Sequence, residues 1–269
     1  FLLQFGHQLD KFIQQYEESE SSEIPRSDFK AGEVKQPVKN TFNEVFPVRL
    51  VEAIKPYNRK ANDFLSLNNN WQSNADLITQ AKRIIISGFV GIIGLQLRKL
   101  GAIGEEEFSD SKMKRYLENC QLTVKRALQL VCYVLISGLW DQLKRNSGQL
   151  SQAHVNILNK FFKSAVEETI SGYAELLKTL LDIFSDANFQ LPVPQLKELQ
   201  TKLNTDSAFM RACTHLTNMS ENLKNGVYTV DDCTQAENEM VIVLEHFSFF
   251  SVFARSIARF LAFPTSWPP

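Results

Sequence analysis

The sequence predicts an all-α protein, an elongated multi-helix bundle of about seven or eight amphipathic helices. Two observations carry that prediction. Apolar residues recur in alternating steps of three and four over long windows, the spacing that lines one face of a 3.6-residue helix. No window of comparable length alternates apolar and polar residues with a period of two, so strands are incidental at most. Composition agrees: the 269 residues are 44% hydrophobic and 22% charged, which suits a globular chain with a sizeable core and excludes disordered or collagenous classes.

Residues 1–16 predict a short N-terminal helix with Leu2, Phe5, Leu9, Phe12, Ile13 and Tyr16 on one face. Residues 17–47 change character, and their Glu, Ser, Pro25, Gly32 and Pro37 are the composition of a flexible linker. The helical-bundle domain is expected over residues 48–264. Its first element, Val48 to Leu67, must kink or divide at Pro56, which lacks an amide proton and clashes with the preceding turn. Ser73 and Asp76 have capping-box spacing and are expected to open a helix that runs to about Leu100, closed by Gly101 and Gly104. Within it, Ile84–Leu97 is apolar nearly all round, and Gly88, Gly91 and Gly94 line one side, so a buried central helix with close neighbours is expected.

The next helix should run from about Ser109 to Arg145, with Met113, Leu117, Cys120, Val124, Ala127 and Val131 inward. Ser151 caps another, expected to continue through Leu158, Phe162, Thr169, Tyr173 and Leu180 to Phe184. Two helices of about 35 residues would each reach about 50 Å, hence an elongated bundle. Pro192-Val193-Pro194 precedes a short helix through Leu196, Leu199 and Leu203. Asp206 opens the following one, which Asn225-Gly226 stops. The last helix begins near Asp231 or Asp232 and keeps its spacing through Phe247, Phe250, Ala254, Ile257 and Leu261 to Pro264.

Few residues invite chemistry. A net charge of -1 gives no global attraction to nucleic acid, which is not expected as a partner. Cys120, Cys132, Cys213 and Cys233 form no CxxC pair and read as buried reduced thiols of a cytoplasmic protein. His7, His154, His215 and His246 show no metal-binding i, i+4 pairing, and there is no phosphate-binding glycine loop or nucleophile elbow. Arg211 and His215 resemble the arginine–histidine pair of helical ribonuclease (HEPN) domains, but three residues intervene, one fewer than that pattern requires. Lys112, Lys114, Arg115, Lys125, Arg126, Lys144 and Arg145 are read as the solvated face of one long helix. No stretch has the roughly 18 apolar residues needed to cross a bilayer.

The best hint of an interface is the aromatic excess near the C-terminus. Phe249, Phe253, Phe260 and Phe263 widen the apolar surface beyond one helical stripe, with Arg255 and Arg259 among them, so these six residues are the candidate interaction surface. The leading expectation is a protein-interaction or scaffolding module with a protein partner, no cofactor and no catalytic or metal site, part of a larger protein or complex. A peripheral membrane-associating domain is the first alternative, and a nuclease-like helical enzyme using Arg211 and His215 the second.

Overall fold

The computed structural model describes residues 42–89, 91–146, 150–164, 169–205 and 207–252, together with Lys11 and Gln14. Ten α-helices and one 3-10 turn are bounded within these described residues, residues 250–252 are helical as well, and no strand occurs among them. The all-α expectation holds. The helix count is higher than expected because two helices read as continuous are each divided. The expected N-terminal helix and most of the expected linker lie outside the described residues.

Helix α1 (Val45–Ile54) stops before Pro56, and α2 (Arg59–Leu67) restarts after Asn58, whose side chain accepts from the Ala61 amide at 3.3 Å. A 3-10 turn, Trp71–Ser73, then brings the Trp71 ring edge-on to Phe64 with centroids 5.5 Å apart. That turn moves the next cap. The Ser73 hydroxyl is used on the Asn70 carbonyl at 2.8 Å, and Asn74 caps α3 (Ala75–Gly88) by accepting from the Asp76 and Leu77 amides. The expected Ser73–Asp76 box is corrected by one residue.

Nor does α3 continue to Leu100. Phe89 turns into extended backbone, ψ 156°, to bury its ring, and α4 (Gly91–Glu105) starts afresh. Gly94 permits the corner, since a Cβ there would fall 2.4 Å from the Ile86 carbonyl oxygen. The run Ile84–Leu97 is therefore two helices meeting at a tight corner, with the close approach that its glycines imply.

Helix α5 (Asp110–Asn146) has 37 residues, about 55 Å, and forms the axis of the bundle. One window within it is long and apolar enough to cross a membrane, with mean hydropathy 1.4, which corrects the expectation that no stretch is. Of that window, 72% is buried inside the bundle, as a core helix requires. The expected helix from Ser151 to Phe184 is instead α6 (Gln152–Ser164) and α7 (Ile170–Asp186). Thr169, expected on the core stripe, caps α7 by accepting from the Gly172 amide at 3.1 Å.

Helix α8 (Leu196–Thr205) follows the Pro192–Pro194 segment, and α9 (Ser207–Lys224) ends as expected at Gly226, φ +70°. Asp206 lies outside the described residues. Helix α10 (Val230–His246) opens on a capping box between Thr229 and Asp232. It stops at His246, and helical backbone resumes only at residues 250–252, so the expected continuous helix is broken at residues 247–249. Phe247, Phe249 and Phe250 are all buried, and positions i, i+2 and i+3 cannot share one helical face. Tight turns gather them instead, the Phe250 amide donating to the Phe247 carbonyl at 2.9 Å.

Helices α4, α7 and α10 lie directly along α5, α10 carries α1 and α9 in turn, and α1 packs on α3. One apolar core joins them. Phe42 and Phe46 are 1% and 0% exposed, so the last residues of the expected linker contribute to the core.

Candidate functional site

The core is interrupted where α1 begins, α4 ends, and α5 and α10 pass. Four polar side chains meet there: Asn43, Lys112, Tyr116 and Glu237. Lys112 and Glu237 are each 0% exposed.

Helix α1 has an unusual beginning. Glu44, at its N-cap, makes no side-chain cap, and Pro47 in the first turn has no amide proton. The remaining donors turn to Glu237, on α10. Its Oε1 accepts from the Val45 and Phe46 amides at 3.0 and 2.9 Å, and its Oε2 from the Asn43 amide at 2.8 Å. A carboxylate at a helix N-terminus also meets the positive end of the dipole. Glu237 is thus the N-cap of α1, supplied by another helix.

Asn43 adopts φ 74°, a left-handed conformation that Asn tolerates better than most residues. Its Nδ2 donates to the Leu100 and Gly101 carbonyls at 3.3 and 3.2 Å, which closes the C-terminal end of α4. Gly104 makes room for it, because a Cβ there would lie 1.5 Å from Asn43 Nδ2. The Tyr116 hydroxyl accepts from the Asn43 amide at 3.1 Å and reaches the Asn43 side-chain oxygen and the Glu237 carboxylate.

Lys112 completes the set. Its ammonium donates to the Gly104 and Glu106 carbonyls at 2.9 and 2.5 Å and lies 5.1 Å from the Phe42 ring centroid. A cation at the negative end of α4 is the mirror image of Glu237 at the positive end of α1. Burial lowers the Lys112 pKa, against the opposing pull of the nearby Glu106 carboxylate. Burial raises the Glu237 pKa, against the donors that favour its charge. Tyr116 is pushed well above the usual tyrosine range, first by burial and then by Cys120 and Glu237. Both charges face the protein's own backbone, so the arrangement holds helix ends together.

The residues singled out from the sequence fall elsewhere. Phe249 is 4% exposed and packs against Phe247 and Phe250, which places it in the core rather than on an interaction surface. Phe253, Arg255, Arg259, Phe260 and Phe263 lie outside the described residues. Arg211 is exposed on α9, and His215, one turn further on, places Nδ1 3.7 Å from Glu239 on α10. His154 lies 3.6 Å from Asp186, and His246 Nδ1 lies 2.8 Å from the Ile242 carbonyl within its own helix. All four cysteines are buried and free, as expected. Among the described residues, no three His, Cys, Asp or Glu side chains converge as metal ligands.

Lys112 corrects the reading of α5's basic residues as a solvated face. Sequence periodicity carried the signal. Glu237 falls on the core stripe between Cys233 and Met240, and Lys112 stands one turn before Tyr116 on a stripe that continues through buried Asn119 and Thr123. A charge in register with core residues marks a buried partner in space, and that partner, a helix end, has no sequence signature. No protein-family model, curated protein or solved structure matches the chain.

Proposed function

We propose that this chain is a protein-interaction or scaffolding module, a helical part of a larger protein or complex. The observation that supports this reading best is the use made of its buried charges. Glu237 and Lys112 are committed to backbone groups at the ends of α1 and α4, where they fix helix positions and face no open site. Burial also pushes Cys213 and Cys233 up to about 12, so these thiols stay protonated and unreactive near neutrality. A rigid frame of this kind suits presentation of a surface to a protein partner.

The test is recovery of the tagged full-length protein from its native cells, followed by analysis of protein, lipid and nucleic acid together. One stoichiometric protein partner, lost on Phe253→Glu with Phe260→Glu, supports the module and its aromatic C-terminal surface. Recovery of lipid or nucleic acid without protein overturns the reading. Nuclease activity abolished by His215→Ala would replace it with an enzymatic one.

A further inference from the structure

Several elements start or finish together at one end of the bundle. In the first turn of α10, the Cys233 thiol donates to the Met113 carbonyl in the first turn of α5 at 3.7 Å. One turn further along each helix, the Tyr116 hydroxyl reaches the Glu237 carboxylate, so α5 and α10 run side by side in the same direction. Lys112 ties the last turn of α4 to this end through the Gly104 carbonyl at 2.9 Å.

Two large apolar side chains stand in solvent just before those helices begin. Phe108 precedes α5 and is 56% exposed, and Val227 precedes α10 and is 66% exposed. Ile103, Tyr228 and Val230 are half-buried in the same segments. The exposed charges flanking them are mainly carboxylates, Glu107, Asp110 and Asp231 against Lys224. Two copies meeting through this end would press like charges together, which disfavours self-association there.

The chain enters the bundle at this same end. The Phe42 ring lies 4.7 Å from the Tyr116 ring and 5.1 Å from Lys112 Nζ, and residues 1–41 lead into it. Residues 1–16 place Leu2, Phe5, Leu9, Phe12, Ile13 and Tyr16 on one helical face, with Asp10 as their only acidic side chain. Lys11 and Gln14, on the opposite face, are helical and exposed. A helix this short is marginal by itself in water, so its apolar face calls for a surface. A flexible tether as long as residues 17–41 spans about 30 Å root-mean-square. It supplies the segment to this end at an effective concentration of about a millimolar.

We infer that the apolar face of residues 1–16 docks over Phe108 and Val227 and closes the end of the bundle at which its own chain enters. The inference stands without the module reading above.

Two measurements on the full chain test it. In the first, spin labels are attached at Lys11→Cys and Glu107→Cys, both exposed positions, while the four native thiols lie in the core. A narrow distance distribution is expected, unchanged when labelled chain is diluted into unlabelled chain. It should broaden both with Phe5→Glu, Leu9→Glu and with Phe108→Glu, Val227→Glu. A wild-type distribution as broad as those of the variants would overturn the inference. So would a narrow one that ignores Phe108→Glu, Val227→Glu, which places the segment elsewhere, or one lost on dilution, which makes the occupant a second copy. In the second, chymotrypsin cleavage after Phe12 and Tyr16 should be about tenfold faster in Phe108→Glu, Val227→Glu than in wild type, with helical circular dichroism and cooperative melting retained. Equal rates would sink the idea. Should that variant fail to fold, Phe5→Glu, Leu9→Glu, which alters no residue of the bundle, takes its place with the same two outcomes.

Discussion

Replacing Glu237 by Ala leaves the Val45 and Phe46 amides without their acceptor and the Asn43 amide with the Tyr116 hydroxyl alone, and a loss of about 3–5 kcal/mol is expected. Glu237→Gln keeps the shape and one acceptor oxygen, and should lose roughly 1–3 kcal/mol. Urea denaturation at neutral pH measures both. The pair also predicts a pH dependence. Burial holds the Glu237 carboxyl above the ordinary glutamate range in the folded chain. Between the unfolded and folded values, the folded chain keeps a proton that the unfolded chain has released. Stability from this group is therefore full below the ordinary range and is lost as pH rises through the folded value. The glutamine variant has no such titration, so the stability gap between the two proteins should narrow on going from about pH 4 to pH 7. A gap that widens with pH would mean that the amide donors outweigh burial.

The glycines of α4 give a paired prediction at the scale of the element. At Gly104 an added methyl meets Asn43, whereas at Gly101 nothing lies within 4 Å. Gly104→Ala should cost about 1–3 kcal/mol by displacing Asn43, and Gly101→Ala should stabilise the chain by up to ~1 kcal/mol through helix propensity. Thermal melts of the two variants should move in opposite directions. Asn74→Ala should cost about 1 kcal/mol, with Ser73→Ala costing less, because the cap of α3 lies at Asn74. Pro56 and Gly226 were readable because each acts within one turn of its own position, whereas the helix expected near Asp231 or Asp232 starts at Val230, after its Thr229 cap. The corner at Phe89 and the cap at Thr169 were not. Both lie inside an unbroken three-four pattern, and burial of Phe89 and the approach of Ile86 to Gly94 are decided by elements that pack from elsewhere.

For the molecule as a whole, one long axial helix carries the bundle, and all four thiols lie inside it. None of Cys120, Cys132, Cys213 and Cys233 should react with a soluble thiol reagent at pH 8 in the native state. All four should react in step with global unfolding as urea is added. Early reaction of Cys132, beneath Tyr173, would show that α7 leaves the axis in a partial opening. The all-α architecture was legible throughout, since periodicity is a local record of one buried face. The polar centre was not, because Asn43, Lys112, Tyr116 and Glu237 become a unit only when four helices are in place.

The carboxylate that caps α1 is 191 to 194 residues downstream of the amides it receives. A ribosome adding about 5–20 residues per second needs roughly 10–40 s to cover that distance. Throughout that interval the first helix of the bundle exists without its cap, and Phe42 and Phe46 without their finished surroundings. Biosynthesis thus imposes an order: the beginning of this fold waits for its end, and a nascent chain halted before Glu237 should be sensitive to protease at Phe46 while the released chain resists.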